Sequence, residues 1–320
     1  MELTTRIEQW PVARPFRIAY HTFHARDLLV VEARDGAHVG RGEAGGHPHL
    51  EPLADAQKRI DALATTLTRE DLLTVLPAGP ARNALDCALW DLEAKRTQRR
   101  AWTLAGLPAP QPIRTAYTIG IAEIDAMVAQ ARAMGDFSLL KIKVDGAAGF
   151  AALRAIAAAR PDAEFIVDAN EGWRRDELDR FLADAAALRV RLIEQPLPRG
   201  ADDVLLDFDS PIPFAADESF HTIGDLARIA DRYRVVNIKL DKIGGLTAAL
   251  RAAAEAERRG LTPMVGCNGA TSLGIAPAYC LALRCRWVDL DSPLLLARDR
   301  APGMTYRDGC VLPPRADVWG

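Results

Sequence analysis

Four short apolar runs, LLKIKV, FIVDAN, LIEQP and FAADES, each lead to a charged group, and they constrain this chain more than any other feature. The groups are Lys141 and Lys143, Asp168, Glu194 and Asp217, and counted from Lys141 the intervals are 27, 26 and 23 residues. Each interval is the length of one strand followed by one helix. Charges at the ends of buried strands, repeated at the βα period, point to parallel strands whose C-terminal tips converge at one mouth, as in a (β/α) barrel. Asp168, Glu194 and Asp217 are then three hard oxygen donors brought together, which must share a cation or protons. Capping of the following helix accounts for any one of them alone. One Mg²⁺ ion per subunit accounts for all three.

A chain of 320 residues exceeds the usual single-domain size, so a barrel with a smaller companion is expected. Residues 1–110 read as an α+β capping domain: Glu2–Trp10 and Leu28–Ala33 alternate like antiparallel strands, and helical patterns cover 52–67 and 80–96. Between and after the strands, FRIAYHTFHARD (16–27) and GEAGGHPHLEP (42–52) read as lid loops. The run TLAGLPAPQP is linker chemistry, and from 111 to 300 the pattern changes to IRTAYTI, LLKIKV, FIVD, RLIE, PFAAD, VVNIKL, TPMVG and WVDLD, divided by helical stretches. SPLLLARDRAPG leaves no room for an eighth full helix, so the expectation is α/β, a (β/α)7β barrel (modified TIM barrel), with residues 301–320 returning to the first domain.

Forty basic against 43 acidic residues give a formal charge of −3, which carries no nucleic-acid or anionic-membrane footprint and suits a small-molecule partner. Five cysteines, odd in number and without CxxC spacing, indicate neither a disulfide framework nor a zinc site. They read as thiols of a cytoplasmic protein. Neither an apolar leader nor a run of membrane-spanning length is evident. Association of the chain with copies of itself is left open.

Lys141 and Lys143 are two apart on a strand, so they point to the same side. Two ammonium groups side by side lower one another's pKa, as suits a general base at neutral pH. Lys242, in NIKLDKIGG, falls two strands beyond Glu194, nearly opposite across an eight-membered ring, whereas Lys239 still lies within its strand. Gly244 and Gly245 read as a tight turn more readily than as a phosphate loop. Asp289 and Asp291 form a DxD at the tip of the eighth strand, with both carboxylates on one side. Thr118 and Cys267, at the first and seventh tips, are further candidates for substrate contact. His47 and His49 lack a third partner at metal spacing and read as lid residues.

KIK, VDAN, IEQP, ADES and NIKLDKIGGLT resemble the enolase superfamily in its muconate-lactonizing subgroup, over essentially the whole chain. In that subgroup the second lysine of KxK and the lysine after the sixth strand flank a Mg²⁺-bound carboxylate, which by position are Lys143 and Lys242. A lysine base with Mg²⁺ stabilising an enediolate is the general chemistry of that superfamily and is taken here from the resemblance. The DxD resembles the mark of the dipeptide epimerases, in which the pair binds the substrate's α-ammonium group, and LPAGPARNALDCALWDLEA (76–94) strengthens the match to L-Ala-D/L-Glu epimerases.

The resemblance implies an isomerase that inverts the C-terminal α-carbon of L-Ala-Xaa dipeptides by 1,1-proton transfer between two lysines, with a role in murein peptide recycling. o-Succinylbenzoate synthesis, N-acylamino acid racemisation and cycloisomerisation would use the same site, and the DxD argues against them. A silent peptide-binding barrel has no need of an intact Lys, carboxylate and Lys set. Where the resemblance predicts an arginine in the first lid loop to meet a glutamate side chain, the segment offers Tyr20, His21, Phe23 and His24, with Arg17 and Arg26 near its ends. His21, Phe23 and His24 are therefore expected to meet the C-terminal side chain, with glutamate accepted but not exclusively.

Overall fold

The computed structural model describes residues 1–63 and 66–320. The chain opens with an antiparallel sheet of β1 (Glu2–Ile18), β2 (His21–Asp35) and β3 (His38–Gly45), followed by α1 (Leu53–Asp61), α2 (Arg69–Val75) and α3 (Pro80–Thr97). The helix expected over 52–67 ends at Asp61, and residues 64 and 65 of that stretch lie outside the described residues.

The first expected lid loop is no loop. Phe16 pairs with Phe23 and Ile18 with His21 across a turn of Ala19 and Tyr20, so 16–27 is the far end of one long hairpin. Apolar and polar residues keep alternating through Phe16, Arg17 and Ile18 and again through Thr22, Phe23 and His24, so pairing continues. A register shift between Pro11 and Phe16 accommodates Pro11 and Pro15 within the hairpin. β3 also takes in part of the second expected loop. Its glycines are there for packing: a Cβ on Gly40 would stand 2.1 Å from the Ala88 oxygen, and one on Gly42 2.0 Å from that of Ala84, both in α3.

IRTAYTI splits into β4 (Ile113–Arg114) and β5 (Tyr117–Ile119). β5 joins β6 (Leu139–Lys143), β7 (Glu164–Asp168), β8 (Val190–Glu194), β9 (Phe214–Ala216), β10 (Val235–Lys239), β11 (Thr262–Gly266) and β12 (Trp287–Val288) in one eight-stranded parallel sheet, in chain order. Ala116 N donates to Val288 O at 2.8 Å where the first and last strands meet. β4 lies outside this ring, against a hairpin of β13 (Tyr306–Arg307) and β14 (Cys310–Val311), through β14. After β12 only Ser292–Leu295 is helical, which gives the (β/α)7β barrel with its α+β cap. No helix among the described residues is long and apolar enough to cross a membrane.

Strand periodicity positions the chemistry. Ala116, Leu139, Ile166, Leu192, Ala215, Val235 and Met264 form an apolar plug inside the barrel. Two residues further along the same strands stand Thr118, Lys141, Asp168, Glu194, Asp217 and Asn237, all buried. Residues of the opposite parity, such as Leu140, Ile142, Val167 and Ile193, face the helices in the main core.

Three buried carboxylates hold the cap on the barrel. Glu43 accepts from Thr271 N at 2.7 Å and pairs with Arg300 at 2.8 Å. Asp86 accepts from Thr247 N at 3.0 Å, and Asp241 Oδ1 accepts from Gly45 N and Asn83 Nδ2, each at 2.9 Å. At the end of the chain Trp319 Nε1 donates to Cys87 O and Gly320 N to Asp91 Oδ1, both on α3.

Burial raises the Asp241 carboxyl to about 6, against the opposing hydrogen bonds from Gly45 and Asn83. The folded state therefore holds this proton more tightly than the unfolded chain, so its contribution to stability is present at low pH and lost as pH rises through about 6. Asp241→Asn keeps an oxygen for both donors and does not titrate. Its stability relative to the native protein should rise by roughly 2–3 kcal/mol between pH 4 and pH 7, measured by chemical denaturation. A difference independent of pH contradicts this assignment.

Candidate active site

Asp168 and Glu194 close β7 and β8, and Asp217 stands one residue past β9. One oxygen from each lies within 4.8 Å of the other two, and all three side chains are buried. Lys143 Nζ approaches Asp168 Oδ2 at 2.6 Å. Lys141 Nζ lies 3.0 Å from Asp168, 2.7 Å from Glu194 and 2.9 Å from Asp289. From the far side Lys239 reaches Asp217 at 2.7 Å, and Lys242 hydrogen-bonds the same carboxylate. β6 and β10 are four strands apart in a ring of eight, so Lys143 and Lys242 bracket the carboxylates from opposite walls.

Lys242 sits on a single helical turn, Leu240–Ile243, that ends at Gly244 with φ 85°. A Cβ there would stand 2.4 Å from Arg82 Nε, and one on Gly245 2.5 Å from Asp86. The glycine pair is a turn that lets α3 close on the segment bearing Lys242.

Burial pushes the Asp168 carboxyl up, but Lys143 and Lys141 overcome it and hold it at about 2. Asp217 is likewise held well below the usual range because Lys239 and Lys242 outweigh its burial. Glu194 goes the other way, to about 7, through burial and the neighbouring Asp168. Burial with Asp217 and Asp168 lifts Glu218 to about 8, and burial with Asp289 lifts Asp291 to about 7. The expectation that Lys141 is depressed by a neighbouring ammonium is overturned: against its burial, Asp289, Glu194 and Asp168 raise it well above the ordinary value. Lys242 is lowered, chiefly by burial.

Thr118, Cys267, Asp289, Asp291 and Phe23 line the cavity above this cluster. Thr118 ties the DxD down, its amide donating to Asp291 at 2.5 Å and its hydroxyl to Asp289 at 3.2 Å. Cys267 Sγ donates to the Asp289 carbonyl at 3.5 Å. His21 and His24 do not line the cavity. Both are exposed, because the segment is a strand: His24 alternates away from Phe23, and His21 packs against the Phe23 ring at the outer rim.

In their place His47 and His49 line the wall, with Phe16, Ile18 and Arg26. Lys239 was within reach of the rule applied to Lys141 and Lys143, since it shares the interior parity of Val235 and Asn237. Arg26 was not. A charged residue between Ala25 and Asp27 gives no sign of which face it takes.

The triad suits a hard divalent cation, with three carboxylate oxygens and no soft donor among them. The cavity and triad bring together more carboxyl than ammonium groups. Among the described residues, buried Glu218 Oε2 and Asn170 Oδ1 have no hydrogen-bond partner, and Lys141 stands beside Glu194 Oε2 without hydrogen-bond geometry. A cation between these groups relieves the imbalance.

Residues 123–317 match the family Enolase C-terminal domain-like, and residues 1–106 match the Mandelate racemase / muconate lactonizing enzyme, N-terminal domain. The chain belongs to the enolase superfamily. It is 43% identical to an N-acetyl-D-glutamate racemase of Pseudoalteromonas sp, over 92% of this chain and 95% of that one. It is 41% identical to the L-Ala-D/L-Glu epimerase of Escherichia coli (strain K12), over 94% and 96%. Among solved structures, an enolase family member from Agrobacterium tumefaciens with homology to dipeptide epimerases, holding sodium and L-Ala-L-Glu, superposes with a TM-score of 0.96 at 47% identity over 99% of each chain. A dipeptide epimerase from Methylococcus capsulatus, complexed with Mg and L-Arg-D-Lys, gives 0.91 at 32% over 98% and 96%.

Calorimetric titration with Mg²⁺ should show one site per chain. Asp168→Asn, Glu194→Gln and Asp217→Asn should each weaken it by roughly a hundredfold or more, since even outer-shell partners contribute 10- to 100-fold. Affinity should also rise with pH through about 7, as Glu194 gives up its proton. A triad variant that binds Mg²⁺ as the native protein does refutes the site.

Proposed function

We propose that the protein is a dipeptide epimerase that inverts the C-terminal α-carbon of L-Ala-Xaa dipeptides, with one Mg²⁺ held by Asp168, Glu194 and Asp217. The observation that carries the reading is that Lys143 and Lys242 stand on opposite walls of one carboxylate cluster, in the cavity that also holds Asp289 and Asp291. A bound Mg²⁺ supplies the positive charge that acidifies a C–H bond beside a carboxylate. One lysine amine takes the α-proton, and the ammonium of the other returns a proton to the opposite face, so the configuration inverts. Lys141, held protonated by the carboxylates around it, is a fixed positive charge beside the reacting centre. Asp289 and Asp291 receive the N-terminal ammonium, held in place by Thr118. Turnover of murein peptides in the cytoplasm is the role this activity fits.

Arg26 supports an acidic C-terminal side chain. It is 6% exposed, lies 3.9 Å over the Phe23 ring in the cavity wall, and has no carboxylate partner among the described residues. Burial lowers it only to about 10, so it keeps its charge at neutral pH. A buried cation without a counter-charge favours an anionic ligand. This replaces the expectation of a pocket relaxed by the absence of a guanidinium.

N-acylglutamate racemisation is the second reading, favoured by the Pseudoalteromonas relative and by Lys141, which already neutralises Asp289 at 2.9 Å. Both substrates present the same glutamate α-carbon.

Lys143→Ala and Lys242→Ala should each abolish epimerisation while one isomer still exchanges its α-proton in D₂O. Interconversion by a single-lysine variant at the native rate refutes the two-base mechanism. The kcat/KM for L-Ala-L-Glu should exceed that for L-Ala-L-Leu by roughly a hundredfold, on the scale of a buried charge pair, and Arg26→Leu should remove most of that preference. Faster turnover of N-acetyl-L-glutamate than of L-Ala-L-Glu selects the second reading.

A further inference from the structure

A two-base inversion leaves the enzyme wrongly protonated for the next turnover in the same direction. The lysine that took the α-proton is an ammonium, and the one that gave a proton is an amine. Each has to exchange with water, yet Lys143 is 7% and Lys242 6% exposed. His221, four residues past Asp217, lines the catalytic cavity together with Lys242. It also lines a second pocket, among Arg199, Asp203, Thr222, Arg228 and Arg232, whose rim residues Arg199 and Asp203 are exposed to solvent. Among the described residues His221 alone belongs to both walls.

We infer that His221 relays protons between water in the arginine-lined pocket and Lys242, resetting that base between turnovers. The inference rests on the two-lysine reading above, and His221 acts through Lys242 without touching substrate. Its backbone is fixed by a hydrogen bond from His221 N to Asp225 Oδ2 at 3.0 Å. Burial, with Lys242 and Arg199 outweighing Asp217 and Asp225, holds the imidazole at about 4. The neutral ring carries one donor and one acceptor nitrogen, the arrangement a shuttle needs.

In the reset, a proton from water or a buffer acid binds one ring nitrogen, and the proton on the other nitrogen passes to the neutral Nζ of Lys242. The ring is left as its other tautomer, and a flip of the ring turns its N–H back toward Lys242. When the reaction runs in the opposite sense every step reverses.

The test is rapid-quench epimerisation of L-Ala-L-Glu in D₂O by the Mg²⁺-loaded native enzyme and its His221→Gln and His221→Phe variants. The native enzyme should give product carrying solvent deuterium at Cα with no burst. Both variants should complete a first turnover at the native rate and then slow by at least about tenfold, a modest share of what positioned proton transfer contributes. Added imidazole should restore their steady-state rate in proportion to its concentration. Variants with native steady-state rates and no burst overturn the relay, as does a first turnover that slows in parallel with kcat. A native enzyme that puts no solvent deuterium into product overturns the two-lysine reading instead.

Discussion

Buried charge has to be balanced, and the mouth of this barrel balances lysine ammoniums against a larger set of carboxyls in the cavity and the triad beneath it. Each such ion costs several kcal/mol to bury and is tolerated only because its neighbours repay it. Lys141 shows the principle most plainly, since its ammonium touches three carboxylates from three strands. The surplus acid shows where a further cation belongs. Glu194 belongs to the carboxylate triad, Glu218 follows Asp217 and Asp291 belongs to the DxD, and all three are pushed up into the neutral range. One group of surplus carboxyls suits a divalent ion, the other an ammonium.

The fold exists to hold that layer in register. The apolar plug beneath it sets the height of each strand, and the alternation of side chains then fixes which residues share the next level up. The cap contributes from the other side. Arg82 and Asp86 of α3 pack on the glycine turn behind Lys242, and Asp241 beside it holds the amide of Gly45 at the root of the second lid segment. The hairpin tip is tied to the barrel rim by Ile121 N donating to Arg17 O at 2.9 Å and by an Arg17–Asp145 ion pair. Lys242 and the cover over it are therefore built from the same interdomain contact.

What could be read from the sequence follows from this division. Charges at the ends of apolar runs are expensive unless something compensates them, so their recurrence at the βα interval exposed both the fold class and the triad. The hairpin was hidden because Pro11 and Pro15 mimic a break, while the register shift that absorbs them leaves no sequence mark. Lys239 was set aside as a residue still within its strand, although its parity with Val235 and Asn237 places it inside the barrel. The sign of the Lys141 shift came out reversed for a related reason. Sequence displays the ammonium two residues along the strand, but not the carboxylates facing it from Asp168, Glu194 and Asp289.

The same division is compatible with relatives that bear different substrate names, a racemase of N-acetyl-D-glutamate and an epimerase of L-Ala-D/L-Glu. Under the proposed function, groups that touch the reacting α-carbon would come from strand tips, where a one-residue slip would turn each side chain to the other face. Under the proposed function, groups that meet the rest of the substrate would come from the capping hairpin and the last strand, where Phe23, Arg26, Asp289 and Asp291 line the wall. A substitution in the hairpin changes what is recognised without disturbing the ion balance below it, whereas a substitution at a strand tip strands several buried charges at once. Recognition is thus free to diverge while the proton chemistry is held fixed by electrostatics.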